Sequence, residues 1–223
     1  MEEASAAEDP EPGGNALKEQ RWPALAPLTG VAFVILVVIA FIVGGETPDT
    51  DDSPQKILDF YNDNEAEQII ASALLGWGTV FLYFFLGVLR SVLRAAEGAV
   101  GRLSAVAFGG GLVLGVGILS FAGFTFTLAD TADDLSPDAA QALNALNSDF
   151  FIPLSAGLGT FMLASGIAAV RTRVLPGWLG WIAVVLGIAA VTPVGFFAFL
   201  LAGLWVIAVS VLLWRAASAV PAT

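Results

Sequence analysis

Asp49, Asp51 and Asp52 in one segment, and Asp133 and Asp134 in another, are the residues of this chain best suited to hold an ion. Ca²⁺ takes clustered carboxylates and carbonyls, so the two segments packed together would offer a hard-cation site. The spacing favours a different use. Neither segment has EF-hand spacing, and each leads into a Ser-Pro pair, Ser53-Pro54 and Ser136-Pro137. Serine caps an orphan amide, proline is tolerated at the first helical position, and acids are favourable at helix N-termini. The carboxylates are therefore expected to be solvated capping acids, with no metal ligand among them. Arg90 and Arg94, one helical turn apart and close to Arg102, could grip anionic lipid heads or a phosphorylated substrate. Setting the topology is the simpler role for them. Thr125, Thr127, Ser155 and Thr160 are the hydroxyls best placed to line a path for an uncharged solute.

The 223 residues include no His and no Cys. That removes Ser-His-Asp and Cys-His nucleophiles, the usual zinc ligand sets, His-ligated haem and disulfides. The apolar runs also lack Asp, Glu, Lys and Arg, the usual markers of proton relays and ion paths within a membrane. No catalytic residue, cofactor-binding residue or cofactor is assigned, and the chain is expected not to be an enzyme. Nucleic acid is not an expected partner either, because no face gathers the Lys/Arg that phosphate binding needs.

Hydrophobic residues make up 57% of the sequence, charged residues 13%, and mean hydropathy is +0.82. A soluble domain carries roughly 25% charged residues. The composition is that of a polytopic membrane protein, and the fold class expected is all-α: a six-span transmembrane bundle across 24–215. Four firm spans cover about 24–45, 68–89, 103–129 and 150–170. The apolar stretch Gly177–Trp214 would be ~57 Å as a single helix, far more than the ~30 Å hydrocarbon core. Thr192-Pro193-Val194-Gly195 should break it into spans 177–191 and 196–214, the former short. Residues 1–23 are acidic, rich in Ala, Pro and Gly, and expected to be a disordered cytoplasmic tail; 216–223 form a second short tail.

Basic residues orient the bundle. Lys18, Arg21, Arg90, Arg94, Arg102, Arg171, Arg173 and Arg215 fall on one side, and only Lys56 on the other. The chain is thus expected in the cell membrane with both termini cytoplasmic. Trp22, Trp178, Trp181 and Trp214 fall at the inner ends of spans, where indole rings favour the headgroup level.

Two short amphipathic helices are expected in the exterior loops, one after Ser53-Pro54 with Ile57, Leu58, Phe60 and Tyr61, the other after Ser136-Pro137 with Leu143 and Leu146. Docking of these apolar residues over the bundle mouth should prevail over repulsion among the exterior acids. The two loops hint at a repeat of span, outer helix and span. Within the third span Gly111 and Gly115 form a GxxxG, and Ser155 and Gly159 repeat that spacing in the fourth, so these two faces are expected to pair or to meet another copy. Besides the lipid bilayer, a membrane-protein partner or a homo-oligomer is the expected company. The function expected is that of a structural or accessory protein presenting its acidic outer face; the alternative is a passive carrier or channel for a small uncharged or lipidic solute.

Arg171-Thr172-Arg173-Val174-Leu175-Pro176-Gly177-Trp178-Leu179-Gly180-Trp181, followed by two apolar spans and Trp214-Arg215, resembles the inner loop of uncharacterised small six-span bacterial integral membrane proteins of domain-of-unknown-function type. Asp51-Asp52-Ser53-Pro54 with Phe60-Tyr61, and Gly101-Arg102-Leu103-Ser104, are similar to theirs too. The resemblance covers roughly residues 25–215. It implies the six-span architecture and, since that family has no assigned activity, no site residue.

Overall fold

A computed structural model describes residues 25–98 and 100–218. After a 3-10 turn at Ala26–Leu28 come α1 (Thr29–Gly44), α2 (Pro54–Asp63), α3 (Glu65–Glu97) and α4 (Arg102–Asp130). A second 3-10 turn, Ala132–Asp134, leads to α5 (Pro137–Asp149), α6 (Phe151–Thr172), α7 (Gly177–Ala189) and α8 (Gly195–Ser218). The fold is an all-α bundle, with no strand among the described residues. The acidic tail read at 1–23 lies outside the described residues. The C-terminal tail expected from 216 begins instead as the last turn of α8, and 219–223 lie outside.

Among the described residues five helical stretches are long and apolar enough to cross a membrane: Ala26–Gly44, α3, α4, the combined α5–α6 stretch Pro137–Thr172, and α8. Their outward faces stay apolar, with Ile42 74% and Trp77 65% exposed. A continuous apolar exterior is unfavourable in water and suits hydrocarbon, the pattern of a multi-pass membrane protein. The sixth apolar segment is shorter than expected. α7 has 13 residues, about 20 Å of helix against a ~30 Å core. It ends at Ala189 because Thr192-Pro193 cannot continue it, and Thr192 Oγ1 turns back to donate to the Ala189 carbonyl at 2.7 Å.

Small residues set the helix spacing. A Cβ added to Gly166 of α6 would lie 2.7 Å from the Gly180 carbonyl oxygen, and one on Gly187 of α7 would lie 2.7 Å from the Leu163 amide nitrogen. α6 and α7 therefore run antiparallel, nearly backbone to backbone. α4 and α6 meet in the same way through Gly110, Gly117 and Gly157. The GxxxG pair does not make that contact. Gly111 faces the Leu86 side chain and Gly115 the Tyr83 ring, both on α3, while Gly159 faces Gly187 and Val191. The expected pairing of Gly111 and Gly115 with Ser155 and Gly159 is thus replaced by glycines one or two positions away. Flat glycine ridges go where backbones must touch, and these two accommodate bulky side chains instead.

At one end of the bundle lie Arg90, Arg94, Arg102, Arg171, Arg173 and Arg215, and α2 and α5 lie at the other. α3 carries Arg90 and Arg94 on a helix that runs well past 89, the end expected for that span. Arg90 stands over the Phe108 ring, 5.0 Å from its centre. The turn that follows is closed by Glu97, whose carboxylate accepts from the backbone amides of Leu103 at 3.1 Å and Ser104 at 2.9 Å. It satisfies two of the orphan donors that open α4. Gly101, at φ 53°, supplies the left-handed step into that helix.

Candidate functional site

The capped end is built from local signals first. Ser53 accepts from the Lys56 amide at 3.4 Å, and Ser136 from the Ala139 amide at 3.3 Å, so both Ser-Pro pairs start helices. Asp52 takes part in the first of these starts. Its carboxylate accepts from the Asp49 amide at 3.0 Å and from Lys56 Nζ at 2.7 Å, and the Lys56 contact holds its pKa below the ordinary value. Among the described residues no three acids are gathered as a metal-ion cluster would require.

α2 buries Ile57 and Tyr61 and half-buries Leu58 and Phe60, the stripe expected of it. Together with Leu128, Ala129, Ala132 and Ala140 these form a small apolar core of their own, seated on the end of α4. α5 departs from expectation. Its buried face is Ala140, Asn144 and Asn147, while Leu143 is half-buried and Leu146 is 47% exposed. Counting apolar residues turned the helix the wrong way, because the asparagines are drawn inward by hydrogen-bond partners. Tyr61 Oη donates to Asn144 Oδ1 at 3.0 Å, and Asn144 Nδ2 donates to the Pro48 carbonyl at 3.2 Å. Gln141 Nε2 donates to the Asp52 carbonyl at 3.3 Å, and Asn147 Nδ2 to Thr125 Oγ1 at 3.1 Å. Gln68 adds a bond to the Gly44 carbonyl at 2.7 Å. Burial pushes the Tyr61 phenol up to about 12.

Beside this cap is a cleft of about 450 Å³ among α1, α3, α4, α6 and the α7–α8 turn. It follows from the short seventh helix. The end of that hairpin reaches α6 at Gly159, where an added Cβ would lie 3.0 Å from Val191 Cγ1. Gly159 is eight residues beyond Phe151, so the first ~12 Å of α6 has no α7 alongside it. Phe150, Phe151, Leu154 and Ser155 line the resulting notch on one side, and Thr192, Pro193 and Phe196 on the other. Farther down, between α1 and α8, a further cavity of about 80 Å³ shares Val37, Phe41, Leu158 and Phe199 with the first. The walls are apolar, and polar groups gather where Asn147, Ser148, Ser155 and Thr192 stand.

The four hydroxyls singled out in the sequence do not converge on this cleft. Ser155 lines it, but Thr125 bonds to Asn147, Thr127 donates to the Gly123 carbonyl at 2.9 Å within its own helix, and Thr160 is exposed. Asn147 is the lining residue that sequence reasoning missed. Trp178 and Trp181 are exposed near the arginine-bearing end, and Trp22 lies outside the described residues. Trp205, to which no role was given, is buried, donating Nε1 to the Leu179 carbonyl at 2.9 Å and meeting Phe161 edge to face. No protein-family model matches the chain, and neither a curated protein nor a solved structure does.

Proposed function

We propose that this is a six-span membrane protein, related to the small bacterial family it resembles, that holds an uncharged lipidic solute at the capped side of the bilayer and performs no catalysis. The cleft carries the reading. At about 450 Å³ it is within the range of small-molecule sites, ~300–1,000 Å³, and like them it combines apolar walls with a few polar groups at one end. The basic residues orient the arginine-bearing end and both termini to the cytoplasm by the positive-inside bias, so the cleft opens towards the outer leaflet of the cell membrane. A second reading, an accessory protein offering its acidic outer face to a membrane partner, draws on the cap. There α2 and α5 are tied together by side-chain bonds while Asp51, Asp59, Asp133 and Asp134 point to solvent.

Two measurements test these statements. Single cysteines at Thr50, Thr131 and Ser218 fix the orientation; an impermeant thiol reagent should label the first two on whole cells, and labelling at Ser218 would reverse it. Native mass spectrometry of the detergent-purified protein should show one lipid retained after the annular lipid is stripped, and Ser155→Phe, which fills the cleft, should release it. A lipid-free wild type, or a stoichiometric protein partner in its place, would favour the accessory reading.

A further inference from the structure

The arginine-bearing end of the bundle, opposite the cap, holds one guanidinium that faces a groove. Glu97 is the one acid at that end among the described residues, and its carboxylate is engaged by the Leu103 and Ser104 amides. Lys56 with Asp52 is the one ion pair among the described residues, so none of the arginines has a carboxylate partner there. Arg90 is occupied by the Phe108 ring, and the Arg94 stem covers Gly101, where an added Cβ would lie 2.9 Å from Arg94 Cγ. Arg173 is different. It lines an open groove of about 650 Å³ at the α6–α7 turn, with Val170, Val174, Leu175, Pro176 and Trp181 around it. No acid lines this groove.

The turn is held in place from below. The Arg173 amide donates to the Ala169 carbonyl at 2.9 Å, Leu175 is buried, and the Gly166–Gly180 approach locks α6 to α7. A preformed site has less freedom to lose when a ligand arrives. A guanidinium grips phosphate oxygens through two parallel N–H donors, which makes phosphate the head that suits Arg173. The groove also continues into an apolar face, which a soluble anion would leave unused. Trp178, Trp181, Val185 and Ile188, all exposed, follow one another at helical spacing along α7. A charged head with an acyl tail matches both parts, and indole rings favour the headgroup level where the two meet.

We infer that this groove binds the headgroup of an anionic phospholipid, its phosphate on the Arg173 guanidinium and one acyl chain along the Trp181–Ile188 face of α7. The site lies at the other end of the bundle from the cleft and does not depend on what the cleft holds. Open on one side, it exchanges its lipid with the bilayer and is read in a membrane, not after detergent stripping.

Its test uses full-length protein in phosphatidylcholine nanodiscs with a trace of phosphatidylglycerol that carries a photo-crosslinker in one acyl chain. Crosslinks should map to α7 between 178 and 188. Unlabelled dioleoyl phosphatidylglycerol should displace the probe about tenfold better than dioleoyl phosphatidylcholine. Raising the salt concentration should narrow that preference in the wild type, with no substitution needed. Arg173→Asn, which tolerates the left-handed φ of 56° at this position, should bring the two lipids near parity. Arg215→Gln, at the same end but outside the groove, should leave the preference intact, as should Ser155→Phe in the cleft. Equal competition by the two lipids in the wild type would overturn the assignment of the head. An equal loss with Arg215→Gln would replace the site by a diffuse positive surface. Displacement by water-soluble glycerol phosphate as effective as by the lipid would make it a soluble-anion site and overturn the role of the tail. Crosslinks scattered over all the helices would overturn the site itself.

Discussion

Tyr61 donates its hydroxyl to Asn144 Oδ1 at 3.0 Å across 83 positions of sequence, and through this contact the first outer helix is fixed to the second. Tyr61→Phe removes the donor and leaves the Asn144 oxygen buried. The expected cost is about 1–3 kcal/mol, read as a lower thermal midpoint and faster proteolysis between 46 and 53. Asp51→Asn and Asp52→Asn should change either readout little, since solvent screens ion pairs as exposed as Asp52 with Lys56.

The same phenol makes stability depend on pH. Its pKa stands at about 12 in the folded protein against an ordinary 10, so the folded state keeps a proton that the unfolded state releases first. The contribution is complete below pH 10 and is lost as pH rises through 12. Chemical denaturation of the wild type should weaken across that interval, and Tyr61→Phe should show a shallower slope there. Identical slopes would mean that folding does not raise the phenol's pKa.

Glycines of one sequence type should divide by position. Gly166→Ala and Gly187→Ala place a methyl against backbone atoms of the facing helix, and forcing α6 and α7 apart should cost about 1–3 kcal/mol. Gly109→Ala and Gly123→Ala meet nothing within 4 Å and should be neutral or gain up to ~1 kcal/mol of helix propensity. Thermal unfolding in one detergent separates the two groups.

Glu97→Ala strips two acceptor contacts from the start of α4. Loss of a capping group costs about 0.5–2 kcal/mol, and hydrogen exchange should rise first at Leu103 and Ser104. Glu97→Gln keeps one oxygen and should lie between.

The bundle itself was legible in the apolar runs, because a helix in lipid has to satisfy its own backbone and so announces its length. The Ser-Pro starts of α2 and α5 were legible for a local reason, a cap and a fixed φ within three residues. Three things escaped. The inward turn of Asn144 and Asn147 depends on partners 22 to 96 positions away, and a polarity count assigns such residues to solvent. The end of α3 is set by Gly98, whose φ of 82° a helix cannot continue, and the end of α7 by Thr192-Pro193, rather than by hydropathy. The cleft was invisible because it is a difference between the lengths of two neighbouring helices, and no residue within it signals a space.

That difference in length also acts on the surroundings. A flank that ends ~10 Å early asks the lipid beside it either to tilt its chains inward or to thin, while the opposite flank, formed by α3 and α4, asks for a full sheet. Such a lopsided rim costs fractions of a kcal/mol per Å in a thick, sterol-stiffened bilayer and less in a thin one. The protein should therefore partition into thin, disordered regions of a mixed membrane, short flank towards the thinner lipid. Lengthening α7 by two turns should abolish that preference.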